Sequence, residues 1–210
     1  MNEARAALHA LHISDSPVRW RALGFHVDDH NVARIGGIAV HLGAPGHGIT
    51  SWVLTGLTAG TTALDGLPTV TTSRAPAPTR ATLRHPNQAQ AIDHVVISTP
   101  DFDRTAHALE QAGIPLRRIA NIRGETIRQG FRRLGAAILE LVENPSGPPG
   151  PATFWGLVIV VPDLSSPHPD LRGHLSAPRP AVQPGRHIAT LSHAAGLIPR
   201  LAFMDPERRQ

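Results

Sequence analysis

Short apolar segments of strand length dominate the hydrophobic pattern of this chain. Residues 92–98 (IDHVVIS) and 136–143 (AAILELVE) are rich in β-branched and aliphatic side chains, which predicts two strands. Between these strands, four apolar side chains recur at helical spacing: Phe102, Ala106, Leu109 and Ala112. Two further strands are predicted at 116–122 and 126–134. Residues 91–145 are therefore predicted to form one βαβββ unit.

The same order of elements recurs in residues 152–206. Its first strand is predicted at 155–161 (WGLVIVV), and a short helix follows near 170–175. Three more strands are predicted at 179–183, 187–193 and 200–204. A weaker copy fits residues 1–57, with its last strand at 49–54. This repeat is longer than that of most solenoids, so the pattern predicts an α+β protein of repeated βαβββ modules that pair into a curled-sheet cup.

Two stretches between the modules are predicted to be connectors. Residues 58–90 are dominated by Thr, Ala and Pro and sustain no apolar period, which predicts a linker or an extended arm. Residues 144–151 hold four Pro and two Gly in eight positions, which predicts a sharp break between two modules. The predicted domains are therefore 1–57, 91–145 and 152–206.

Composition excludes several classes of protein. The chain has 210 residues, of which 41% are hydrophobic, enough for a buried core. Its longest apolar run has eight residues, whereas a membrane-spanning helix needs about 20. No long apolar segment follows the charges of residues 1–5, so no signal peptide is expected and a cytoplasmic location is predicted. The absence of Cys excludes disulfides, thiolate metal sites and a cysteine nucleophile.

The charge pattern argues only weakly for nucleic acid as a partner. All 20 basic residues are Arg, and the net charge is only +4. Aromatic residues make up 4% of the chain, too few for stacking platforms interleaved with basic groups. The absence of Lys excludes Schiff-base chemistry and the lysine of phosphate-binding loops. A small molecule is therefore the expected partner.

The central module resembles a known group of proteins. The segment IDHVVISTPDFDRTAHALEQAGI opens it and FRRLGAAILELVENP closes it, as in the glyoxalase, bleomycin-resistance and extradiol-dioxygenase proteins of the vicinal oxygen chelate superfamily. The resemblance covers residues 91–206. It implies that two modules pair, within one chain or between the chains of a homodimer, and curl into a cup. Many such cups hold a divalent metal that chelates two neighbouring oxygens of the substrate, and others are metal-free binders.

The resemblance implies His94 and Glu140 as candidate metal ligands, with Glu140 also as a candidate catalytic base. Zn, Fe, Mn or Ni would suit an imidazole and a carboxylate. The alternative is a buried hydrogen-bonded His94–Glu140 pair without metal. Gly156 and Leu201 stand at the matching positions of the next module, so a complete four-residue shell is not visible there. Three histidines of the first module could complete it only if that module packs against the second: His9, His12 and His41.

Arginine is the second candidate chemistry. Six Arg fall within 17 residues: Arg117, Arg118, Arg123, Arg128, Arg132 and Arg133. Strand alternation puts Arg128 and Arg132 on one face, where they could clamp a carboxylate or phosphate. The alternative is a solvated strand face. Phe131 lies between them as a stacking or core residue, and Phe154 and Trp155 are expected in the core. The turn-rich run 178–187 is predicted to form a rim that offers a ligand Gln183, Arg186 and His187.

Two functions from different classes follow. In the first, the protein binds a small anionic organic molecule in the cup without metal. In the second, it is a divalent-metal-dependent lyase, isomerase or dioxygenase that acts on neighbouring oxygens.

Overall fold

Two β-sheets, of six and eight strands, form the frame of the computed structural model, which describes residues 6–58, 60–73, 84–122 and 126–207. The helices are few and short, so the fold is α+β, as predicted. None of the described helices is long and apolar enough to cross a membrane. Residues 1–5, positions 59 and 74–83 of the predicted linker, and Arg123 of the arginine cluster lie outside the described residues.

The six-stranded sheet is built from residues 7–71. Its elements are β1 (Ala7–Ile13), α1 (Pro17–Ala22), β2 (Val32–Ile35), β3 (Ile38–Leu42), β4 (Ile49–Thr55), β5 (Ala63–Leu64) and β6 (Leu67–Thr71). The strand order is β2-β3-β1-β4-β6-β5. β1 runs parallel to β3 and antiparallel to β4, while β4 runs parallel to β6.

Two sequence predictions are wrong in this sheet. β4 was predicted to close the first module, but it lies beside β1 at the centre and begins a second short unit with β5 and β6. The predicted linker contains β5 and β6, joined by a tight turn in which Asp65 and Gly66 both have positive φ. An Asp-Gly pair between short strands is the typical signal of such a hairpin. How the chain divides into domains stays a prediction.

The eight-stranded sheet combines the two modules of residues 91–206. Its elements are β7 (Ala91–Thr99), α2 (Phe102–Gln111), β8 (Arg118–Asn121), β9 (Arg128–Leu134), β10 (Ala137–Glu143), β11 (Thr153–Val160), α3 (Pro169–Arg172), β12 (Arg179–Pro180), β13 (His187–Thr190) and β14 (Arg200–Met204). The order is β12-β13-β14-β11-β7-β10-β9-β8. β7 and β11 run antiparallel at the centre, and each lies parallel to the last strand of its own module. The two modules therefore share one topology.

One large core joins the two sheets and buries one face of each. From the eight-stranded sheet it takes Val95, Ile97, Leu139, Leu157 and Phe203, with Phe102 and Leu109 of α2. The opposite face, here called the cup face, carries a small separate cluster of Val96, Val158, Ala202 and Met204. Three partly buried residues pack against these side chains: Val142, Ile188, and Ala181 of the β12–β13 loop.

Buried carboxylates tie the first sheet to the second. Asp15 is buried and accepts hydrogen bonds from Trp20 Nε1 (3.1 Å) and from the backbone N–H of Ile198 (2.9 Å). Asp65 accepts from Arg104 Nε at 2.7 Å and from the Thr105 hydroxyl. The orientation of the two sheets is therefore set by polar contacts as well as by the shared core.

Candidate functional site

A β-bulge in β7 brings two neighbouring polar residues to the cup face. Ile92 pairs with Ile159 of β11 and His94 pairs with Val158, so β7 has one extra residue at Asp93. Ile92 and Val95 both belong to the main core, which turns Asp93 and His94 together to the other side. The Nδ1 atom of His94 lies 2.6 Å from Asp93 Oδ2, without the angle of a good hydrogen bond.

Arg186 completes a buried ionic group around Asp93. Its Nη2 atom lies 2.6 Å from Asp93 Oδ1, and its Nε donates to the carbonyl oxygen of Asp205 at 2.7 Å. Burial alone would raise the pKa of Asp93, but His94 and Arg186 hold that pKa below its usual value. Arg186 is only 7% exposed. In the structure it fastens the β12–β13 loop to β7, and its role as a ligand contact stays a prediction.

Glu140 lies on the cup face beside the first strand, in register with Val96, while His94 is in register with Ile138. Gln129 Nε2 donates to Glu140 Oε1 at 2.8 Å. The prediction of a direct hydrogen bond between His94 and Glu140 is therefore wrong for the contacts that the structure describes. His94 lies against Asp93, and Glu140 is hydrogen-bonded to Gln129. Burial raises the pKa of Glu140, His94 lowers it, and Asp93 raises it, with a net upward shift.

The Glu140→Gln variant is expected to be more stable than the native chain at pH 7. A carboxyl whose pKa is higher in the folded state than in the unfolded state costs stability whenever it is ionised. The gain is expected to be full above the raised pKa and to disappear as the pH falls to about 4.5, the usual pKa. Urea unfolding at pH 4, 5.5 and 7 tests this, and a gain that does not depend on pH would contradict it.

One cross-strand row on the cup face passes through Glu140. Strand pairing places six residues side by side across the sheet: Arg118, Phe131, Glu140, Val96, Gly156 and Arg200. An arginine stands at each end, and both arginines are exposed. The guanidinium carbon of Arg118 lies 5.9 Å from the centre of the Phe131 ring. Phe131 thus lies on the cup face, as a substrate contact requires.

Arg128 and Arg132, predicted to line the cup, lie on the other face of β9. Arg128 donates to Glu143 Oε1 and Asp103 Oδ1, both at 2.8 Å, and stacks on Phe102 of α2. Arg132 pairs with Leu139, whose side chain lies in the main core. Alternation grouped these two arginines correctly but did not say which face is concave. Among the described strand residues, Arg118, Arg133 and Arg200 lie on the cup face instead, and the sequence analysis assigns none of these three to the ligand.

The predicted rim has a mixed outcome. His187 Nδ1 lies 2.9 Å from Asp205 Oδ2, and the carbonyl oxygen of Gln183 accepts a hydrogen bond from the backbone of Arg186. Gln183 and His187 as ligand contacts stay a prediction. Trp155 was expected in the core, but it is 50% exposed and occupies a bulge of β11, next to Gly156.

The donor set does not fit the metal centre that the superfamily implies. The counterpart of His94 in the next module is Gly156, and the counterpart of Glu140 on the cup face is Ala202, because Val160 pairs with Met204 as Ser98 pairs with Val142. The sequence analysis matches Leu201 to Glu140, but Leu201 belongs to the main core. In the described ranges, no three His, Asp or Glu side chains are grouped so that they could hold a metal ion.

Comparison with solved structures identifies the fold as that of the vicinal oxygen chelate superfamily, as the resemblance implied. A triple mutant of 4-hydroxymandelate synthase from Streptomyces coelicolor matches with a TM-score of 0.62 and 13% identity, over 99% of this chain and 94% of that chain. Methylmalonyl-CoA epimerase from Mycobacterium tuberculosis matches with a TM-score of 0.49 and 17% identity, over 62% of this chain and 95% of that chain. No protein-family model and no curated protein matches the chain. These likenesses concern the fold.

Proposed function

We propose that the cup face of the eight-stranded sheet binds a small organic anion and does so without a metal. The observation that carries the proposal is the cross-strand row with Arg118 at one end, Arg200 at the other and Glu140 between them. In this proposal the curl of the sheet puts the two ends of the row on opposite walls of one cup. A ligand in the cup would then meet a guanidinium from each wall.

The charge of this face favours an anion. Arg118, Arg133 and Arg200 are exposed, and none has an ion-pair partner within 4.0 Å among the described residues. Of the acids on this face, Asp93 is already paired with Arg186. The pKa of Glu140 is raised, so this carboxyl takes up a proton more readily than an exposed glutamate does. Guanidinium groups bind carboxylates and phosphates through paired hydrogen bonds.

The floor of the cup favours a ligand with an apolar body. Val96, Val158 and Ala202 lie buried beneath it, and the exposed Trp155 ring beside Gly156 offers an apolar contact surface. Gly156 has no side chain, and the backbone of Arg200 lies close against it. Glu140, held by Gln129, can accept a hydrogen bond from a hydroxyl or ammonium group of the same ligand. The ligand class is therefore a small carboxylate with an apolar body and one polar substituent.

Thermal-shift measurements with benzoate, 4-hydroxybenzoate and phenylacetate test the proposal. A ligand present at 100 times its dissociation constant is expected to stabilise the protein by about 2.7 kcal/mol. The shift is expected to persist in EDTA and to be lost in Arg118→Ala and Arg200→Ala. Arg172→Ala is the matched control, because Arg172 is exposed on α3 and outside the cup face.

Two results would contradict the proposal. Equal shifts in the cup-face variants and in Arg172→Ala would show that the anion binds elsewhere. A shift that is lost in EDTA and restored by a divalent metal would favour the metal-dependent enzyme instead.

A further inference from the structure

Two histidines lie side by side on the face of the six-stranded sheet that is turned away from the main core. His12 of β1 and His41 of β3 are register partners. They share a face with Ala10, Val32 and Ala39, which form a small cluster separate from the main core. A bulge of β1 lies at His9, because Leu8 pairs with Leu54 and Ala10 pairs with Val53. We propose that His12 and His41 together bind one divalent transition-metal ion, of the class Cu²⁺, Ni²⁺ or Zn²⁺.

The spacing of the two rings suits a shared ion. The ring centroids of His12 and His41 are 4.9 Å apart, with 34° between the ring planes. A bound ion lies about 2.0–2.1 Å from an imidazole nitrogen. A separation of 4.9 Å between centroids is short enough for one nitrogen of each ring to reach a shared ion. The two residues lie on neighbouring parallel strands, so the backbone of the sheet fixes their separation.

Ser51 of β4 fixes the ring of His12. Its Oγ atom lies 2.8 Å from His12 Nδ1, and Ser51 is the register partner of His12 on the other side of β1. This contact leaves Nε2 of His12 for the ion. Metal-ligating histidines usually have their second ring nitrogen hydrogen-bonded in this way, which holds the ring in one orientation.

The histidines are suited to metal binding at neutral pH. Burial lowers the pKa of His41, and so do His12, Arg34 and His9, while Asp28 raises it, with a net downward shift. His9 Nδ1 is buried and has no hydrogen-bond partner among the described atoms. Imidazole nitrogens favour Cu²⁺, Ni²⁺ or Zn²⁺ over Mg²⁺ and Ca²⁺.

The site has two protein ligands and differs from the cup of the second sheet. In the described part of the chain, no third His, Asp or Glu is grouped with the pair closely enough to bind the ion. Water therefore completes the coordination. In the second sheet, Val96 corresponds to His12 and its register partner Glu140 corresponds to His41. The proposal is thus independent of the anion site proposed above.

Titration of the full chain with Cu²⁺, followed by electron paramagnetic resonance and calorimetry, tests the proposal. We expect one site whose spectrum shows nitrogen coupling from two imidazoles. His12→Gln and His41→Gln are expected to lose this signal, while Ser51→Ala should weaken binding by about tenfold or more. His107→Ala, which removes an exposed histidine of α2, is the control.

Three outcomes would overturn the proposal. The first is a spectrum without nitrogen coupling in the native chain. The second is equal binding by His12→Gln, His41→Gln and His107→Ala, which would show that scattered surface histidines bind the ion. The third is loss of binding in His107→Ala alone. Far-ultraviolet circular dichroism of each variant confirms that it is folded, and the glutamine variants keep the size and polarity of the imidazole.

Discussion

Asp93→Ala is expected to lower the free energy of unfolding by about 3–5 kcal/mol, the usual cost of removing one partner from a buried ion pair. The variant leaves Arg186, which is 7% exposed, without a counter-charge at 2.6 Å. It also removes the carboxylate beside His94. Urea unfolding at pH 7 measures the loss. Because the pKa of Asp93 is lowered, its contribution is present above about 3.8 and is lost as the pH falls through the lowered pKa.

Asp103→Ala is the matched control for that experiment. Asp103 also pairs with an arginine, Arg128, at 2.8 Å, but its side chain is 79% exposed. An exposed pair contributes only about 0–1 kcal/mol. If the two alanine variants lost equal stability, the buried pair would not be what holds the β12–β13 loop. Adding Arg186→Met to Asp93→Ala should recover part of the loss, because no unpaired charge is then left buried.

The two modules of the eight-stranded sheet could be predicted because their elements are marked locally. β7 and β10 are short runs of β-branched and aliphatic residues, and Asp101 caps α2 through the backbone N–H of Arg104 at 3.0 Å. β4 was assigned wrongly for a different reason. Its apolar pattern fits the last strand of one unit as well as the first strand of the next. The position of β4 in the sheet, between β1 and β6, decides which of the two it is. β1 lies far from β4 in the chain, and β6 lies in a Thr-rich stretch that gives no clear strand signal.

The site could be predicted only in part. Strand alternation shows which residues share a face of the sheet, but it does not show which of the two faces is the cup face. It places Glu140 with Val142 and groups Arg128 with Arg132. Which group faces the cup depends on the side that α2 covers, and that is a tertiary contact. The role of Asp93 could not be predicted from alternation at all, because a bulge turns it and His94 to the same side.

Bulges at equivalent positions relate the two sheets. Four strands that lie at the sheet centres, β1, β4, β7 and β11, each carry one extra residue relative to their antiparallel partner. The extra residues are His9, Thr50, Asp93 and Trp155. The residues that follow them are Ala10, Ser51, His94 and Gly156. The six-stranded sheet thus has the layout of two shortened modules, and only one of the four equivalent positions is a histidine.

Gly156→Ala is expected to destabilise the protein by about 3 kcal/mol, near the upper end of the usual cost of overpacking a core. A Cβ atom at this position would overlap the carbonyl oxygen of Arg200 and lie 2.9 Å from its carbonyl carbon. These are backbone atoms of β14, the parallel partner of β11, so they cannot move aside without disturbing the strand pairing. The same contact means that a histidine placed here cannot become a second metal ligand, because its Cβ is already excluded.

Urea unfolding of Gly156→Ala beside Gly173→Ala separates this contact from the general effect of replacing glycine. Gly173 ends α3 with φ −74°, and a Cβ there would meet nothing within 4 Å. Its replacement should leave the unfolding midpoint almost unchanged or raise it slightly, because alanine lowers the entropy of the unfolded chain. Equal midpoints for the two variants would mean that β11 and β14 are further apart at Gly156 than the structure places them. The row that joins Val96 to Arg200 would then be broken, and with it the argument that both walls of the cup meet one ligand.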